Sequence, residues 1–179
     1  MSEKRSYSPP PASSPYSLAI PPAPLEPWRD REWQGLWLSL QSRPWTSLAL
    51  IPAGDGAPDD FTVLVAVILS RTGMVHLGSP VQVADATKVP LSQLTGFLEQ
   101  VNSVAREGER IIVALPPASQ SPVTKSIAQA TDATLLCVLI EKMSFFQARK
   151  TVNDIGASRF LGSAIFHPHQ LENARNSQK

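Results

Sequence analysis

The chain has 179 residues, 42% of them hydrophobic, with 16 Lys+Arg against 15 Asp+Glu for a formal net charge of +1. This is enough for one ordinary domain with a real core plus a tail, and the balanced charge, with no Lys/Arg cluster, gives no general electrostatic case for nucleic acid or an anionic membrane. No apolar run approaches the roughly 20 residues needed to span a bilayer, and the opening MSEKRSYS leads into proline rather than an apolar stretch. The expectation is a cytoplasmic protein with no signal peptide, no direct membrane insertion and no nucleic-acid partner. The single Cys137 precludes an internal disulfide and, inside LLCVLI, reads as a small core residue rather than a nucleophile.

Residues 1–26 carry much of the proline, with serine and alanine between. Proline cannot donate to a ladder and blocks helix continuation, so this segment is predicted to be a disordered tether. It also holds both tyrosines, Tyr7 and Tyr16. Residues 28–42 read as a helix with Trp33, Leu36, Trp37 and Leu40 on one face. All four tryptophans lie within residues 28–45. Tryptophan is common in interface hot spots, so Trp28, Trp33 and Trp37 are interface candidates; packing of the helix on its own domain is weighed equally.

SLALIPA, from Ser47, reads as a buried strand, and GDGAP (Gly54, Asp55, Gly56, Ala57, Pro58) as the glycine turn after it. The apolar stretch 59–72 has strand-like propensity, but a glycine turn from a strand needs a returning helix, so a helix is predicted, ended by Gly73 as a C-cap. A short strand follows at 81–84 and a helix at 91–106. After Gly108 come a strand from Arg110 ending in Pro116-Pro117, a helix at 121–131 and a strand from Thr134. A helix at 144–155, N-capped by Ser144, is predicted to bury Phe145, Ala148, Val152 and Ile155, and the last strand spans 159–166. The domain is placed at 27–168, and 169–179 is expected to be a flexible polar tail. Near-continuous apolar strands alternating with helices predict an α/β three-layer sandwich with a mainly parallel sheet and right-handed crossovers.

The strand, glycine loop and helix have the layout of a phosphate-cradling turn. From Arg110 to His167 the order of Pro116-Pro117, Asp132-Ala133, Ser144, Gly156 and Gly162 resembles the second half of the MinD/ParA-like branch of P-loop ATPases. Within that branch it resembles the bacterial tyrosine autokinases of polysaccharide synthesis and export. The resemblance implies a P-loop NTPase-like fold of MinD/ParA type, spanning 28 to about 168.

The departures from that family fall on its chemistry. Its phosphate-loop Lys and Ser/Thr correspond to Ala57 and Pro58, its Walker B carboxylate to Ala114, and its terminal Asn to His167. Asp85 alone remains of a second acidic motif. The interface helix keeps a Glu and replaces the family's arginines with Trp and Gly, and the C-terminal tail has no tyrosine. Without the lysine, the hydroxyl and the acid, charge compensation and metal placement are both missing. The expectation is therefore no catalytic residue, no cofactor, no metal and no ATPase or kinase activity. In its place the resemblance implies an interaction or regulatory module in bacterial envelope polysaccharide assembly. It would form a homodimer and bind a membrane-associated chain-length or export protein, or a kinase, with recruitment to the inner membrane through that partner. Lys142, after the fourth strand, is a further interface candidate.

Two alternatives stand beside this. One is a nucleotide-binding or ATP-hydrolysing regulator with an altered loop, using backbone N–H groups at Gly54 and Gly56 and a metal on Asp85. The other is a cell-positioning or partitioning factor. His167 and His169 read as a surface turn rather than a metal pair, and Asp55, Asp59 and Asp60 as a solvated loop rather than a calcium loop.

Overall fold

The computed structural model describes residues 26–176. The proline-rich segment with Tyr7 and Tyr16 lies outside the described residues. Five strands, β1 (Ser47–Pro52), β2 (Val81–Asp85), β3 (Arg110–Ala114), β4 (Ala133–Leu139) and β5 (Phe160–Phe166), form one sheet in the order β2-β3-β1-β4-β5. Every pairing is parallel. Six helices alternate with them: α1 (Arg31–Leu40), α2 (Phe61–Leu77), α3 (Leu94–Arg106), α4 (Val123–Ala130), α5 (Phe145–Ile155) and α6 (Pro168–Asn176). This is the expected α/β three-layer, P-loop NTPase-like sandwich.

The topology follows from handedness. The chain leaves β1 for the β2 edge, then moves steadily back through β3 and β4 to β5. Right-handed crossovers therefore place α2 on one face and α3, α4 and α5 on the other. Side chains alternate accordingly along β1: Leu48 and Leu50 pack with α1 and α2, and Ala49 and Ile51 with α3, α4 and α5. Such two-sided burial is why the strands read as unbroken apolar runs.

From Phe61 to Leu69 helix α2 is almost wholly apolar because it is covered twice, by the sheet beneath and by α1 and α6 outside. It runs to Leu77, past the predicted end at Gly73. Gly73 is a packing position: a Cβ there would lie 2.3 Å from Cη2 of Trp37. The true C-cap is Gly78, in the left-handed conformation at φ 67°, with its N–H bonded to the Met74 carbonyl at 3.0 Å. Trp37 thus sits on a glycine notch, edge-on to Trp45 at 5.8 Å, while Trp33 packs on Phe166 at 5.5 Å.

Two other expectations are corrected. Residues Pro168–Asn176 do not fray but form α6, which buries Leu171 against the α1/α2 layer, and Arg175 pairs with Asp60. Phe145 is not in the core but 84% exposed, at the first position of α5. The predicted Ser144 cap is present, as a reciprocal capping box with Gln147. At the opposite, N-terminal edge of the sheet, Asp132 accepts hydrogen bonds from the N–H groups of Thr46 (2.8 Å) and Ser47 (2.9 Å) and from the Thr46 hydroxyl (3.0 Å). Burial alone would raise its pKa, but these bonds together outweigh that and hold the carboxyl below its usual range.

Candidate functional site

The site position is dictated by topology. β1 lies between β3 and β4, and the helices after those two neighbours leave for the opposite face from α2. The crevice at the carboxyl ends of these strands is where open α/β sheets bind ligands. It contains the predicted glycine loop and a cavity of about 200 Å³, lined among others by Pro52, Ala57, Phe61, Lys88, Leu115 and Gln120.

The loop after β1 is tied on three sides to its own chain. The Ala53 N–H donates to the Cys137 carbonyl at 2.9 Å, and the Thr151 hydroxyl donates to the Ala53 carbonyl at 3.3 Å. The Ser119 hydroxyl donates to the Asp55 carboxylate, joining the loop to the one after β3. On the β4 side the contact is tighter. A Cβ on Gly56 would lie 1.8 Å from the backbone oxygen of Lys142, and one on Gly54 would lie 2.7 Å from Oε1 of Gln147. Neither glycine has a left-handed φ. Close approach of the loop after β4 therefore accounts for Gly56 without a phosphate, while Gly54 packs against the Gln147 side chain of α5. That approach is set by a short turn in which Glu141 takes φ 68°, a conformation uncommon for a non-glycine residue.

The N-terminus of α2 is where a phosphate would sit. Ala57 and Pro58 lie in the loop before it, and the helix opens with Asp60 as N-cap, then Phe61 and Thr62. Asp59 and Asp60 put negative charge at the positive end of the helix dipole, and Asp60 makes no side-chain cap hydrogen bond but pairs with Arg175. The Thr62 hydroxyl, buried and absent from the sequence-based candidates, donates to the Leu115 carbonyl at 2.8 Å. A threonine one turn into the helix after a glycine loop was the available signal for it.

Ala114 ends β3, fully buried and in register with Leu50 on one side and Asp85 on the other. Asp85 is exposed, and its carboxylate accepts from the N–H (2.8 Å) and hydroxyl (2.6 Å) of Thr87, closing its own turn. No group of three or more His, Cys, Asp or Glu side chains suited to a metal occurs among the described residues. His167 and His169 stack loosely at 5.3 Å at the start of α6. Cys137 is buried, and burial pushes its thiol pKa up, so it is poorly nucleophilic.

The interface candidates separate. Trp33 and Trp37 are 5% and 1% exposed, filled in by Phe166, Gly73 and Trp45. Of the two readings weighed for this helix, intramolecular packing uses these rings, and a folded domain has no surface of them to offer. Trp28 is half-buried, with the Arg71 guanidinium 4.6 Å above its ring. Lys142 is exposed beside the glycine loop. The sequence reading missed the neighbouring pair Phe145 and Phe146, which are 84% and 75% exposed.

No family model matches the chain, and no curated protein matches it. Among solved structures, the crystal structure of the chimerical protein CapA2B2 is similar, with a TM-score of 0.55 and 11% identity, over 75% of this chain and 82% of that chain. At that identity the likeness shows the fold alone: an α/β sandwich of P-loop NTPase-like architecture. No helix among the described residues is long and apolar enough to cross a membrane.

Proposed function

We propose that this chain is a non-catalytic member of the MinD/ParA-like group, a pseudo-ATPase that acts as an interaction or regulatory module in bacterial envelope polysaccharide synthesis or export. The observation that carries the reading is the state of the α2 N-terminus. Where phosphoryl transfer needs a cation, a hydroxyl on magnesium and a strand-end acid, this chain has Ala57, Pro58 and Ala114 at the matching places; at the helix start Asp60 pairs with Arg175 and the Thr62 hydroxyl is bonded to a backbone carbonyl. Asp59 adds negative charge at that helix end, unfavourable to a triphosphate, and the Gly56–Lys142 contact closes the loop from the β4 side. The polysaccharide context rests on the resemblance of residues 110–167 to tyrosine autokinases and is supported by the shared fold with CapA2B2. Partners in that role would be a membrane-associated export or chain-length protein, or a kinase, with self-association across the same face.

A second reading has one observation in its favour. Lys88, on the loop after β2, lines the cavity beside the α2 N-terminus. A cation from that loop could take the part of the missing phosphate-loop lysine, giving a nucleotide-binding regulator with an altered site.

Isothermal titration of the chain with ATP and ADP, each with magnesium, separates the two when solution mass is measured in parallel. The first reading predicts no heat with either nucleotide and a mass of a dimer or larger. Saturable binding that is lost in Lys88→Ala would overturn it in favour of the second.

A further inference from the structure

Helix α5 carries a pattern that the proposed function does not use. Its inner arc, Ala148, Thr151, Val152 and Ile155, faces the sheet. At about 100° per residue, Phe145, Arg149, Asn153, Phe146 and Lys150 fall within about 140° of one another on the outer arc. All five are exposed. On the helix the stripe holds two cations, Arg149 and Lys150, and no acid; the exposed turn before it adds Lys142 beside Glu141, and Asp154 lies at the margin. Nothing in the fold requires two adjacent phenylalanines in water at the start of a helix that is already capped by Ser144 and Gln147.

We infer that this outer face is a contact surface for an anionic membrane, with Phe145 and Phe146 entering the headgroup–acyl boundary and Lys142, Arg149 and Lys150 meeting anionic headgroups. Charge decides among the occupants. A second copy meeting this face across a two-fold axis would bring two sets of these cations together around the phenylalanines, and like charges so placed repel. An anionic surface is complementary to them. The form of the apolar part points the same way: the rings protrude instead of lining a groove, and a bilayer accepts protruding apolar side chains without a preformed pocket. Polybasic residues flanking buried apolar side chains bind anionic leaflets additively and release with salt. This contact is peripheral and needs no spanning helix. It adds a direct route to the membrane to the recruitment expected through a partner, and it holds whether or not the crevice binds nucleotide.

The test is co-sedimentation of the full chain with phosphatidylcholine vesicles, with and without phosphatidylglycerol, at low and high salt. Binding is expected only to the phosphatidylglycerol vesicles, and to fall with salt. Phe145→Ser with Phe146→Ser, and separately Arg149→Gln with Lys150→Gln, should each weaken it by about tenfold or more. All four side chains are exposed, so thermal melting should report folded variants. Absence of binding to the anionic vesicles, or binding indifferent to the phenylalanine substitutions, would overturn the inference. A concentration-dependent mass that disappears in the phenylalanine variant, without vesicle binding, would overturn it in favour of a second copy. Saturable binding of a poly-glutamate peptide with no vesicle binding would overturn it in favour of an acidic protein.

Discussion

Helices α2 and α5 begin side by side. The loops that lead into them touch at Gly56 and Lys142, and both leave the carboxyl edge of neighbouring strands. They differ in what covers them. From Phe61 to Gly73 α2 is covered by sheet on one side and by α1 and α6 on the other and is largely apolar; only its last turn, with Met74, Val75 and Leu77, is exposed. α5 has the sheet on one side and solvent on the other, and its outer arc carries cations and two phenylalanines. A large apolar residue on the covered part of α2 is therefore explained by the fold, while one on the outer arc of α5 is not. The same reasoning removes Trp33 and Trp37 from the set of contact residues and brings Phe145 and Phe146 into it.

Uncovering α2 is expected to give the largest effect. Trp37→Ala deletes a fully buried ring that fills the notch at Gly73 and packs on Trp45. The lost transfer energy and the residual cavity together should cost about 3–5 kcal/mol, read as a fall in the midpoint of denaturant unfolding at unchanged slope. That is a large part of the stability of a domain this size. Separating the two helix starts should cost less. In Gly56→Ala the new methyl meets a backbone oxygen, but the loop is exposed and can shift, so about 1–2 kcal/mol is expected in the same measurement. A neutral Gly56→Ala would break the comparison by showing that the loops are not held together.

Much of the fold was legible because its causes are local. Two-sided burial makes strands such as Leu48–Ile51 continuous in apolar residues, and Ser144 with Gln147 spells a cap. The placement of 59–72 as helix rather than strand came from topology, which outweighed a β-branched composition set by burial on every side. What was not legible depends on contacts distant in sequence. Gly73 has the look of a helix end, and only Trp37, 36 residues earlier, shows it to be a notch. Gly54 and Gly56 have the look of a phosphate loop, and only Lys142 and Gln147 supply the other explanation. α6 is polar in sequence, and its described contacts include Leu171 in the core, a Gln170–Glu32 hydrogen bond to α1 and the Arg175–Asp60 ion pair at the start of α2. Phe145 satisfied the helical period of a core residue, yet it opens α5 and is exposed.

The smallest expected effect bears most directly on the contrast between the helices. Phe145→Ser with Phe146→Ser removes two large apolar side chains, and in a core that would unfold the domain. Here both rings are exposed, α5 keeps its capping box, and its inner arc is untouched. Exposed substitutions away from caps and packing change stability by no more than about 0.5 kcal/mol each. The double variant should therefore melt within a few degrees of the parent. A loss as large as that of Trp37→Ala would mean that these rings pack on a surface in solution, either on another part of the chain or on a second copy, and that the outer arc of α5 is covered as α2 is. Unchanged stability leaves the two phenylalanines without a role in folding, and their placement among cations is then accounted for by what the protein touches.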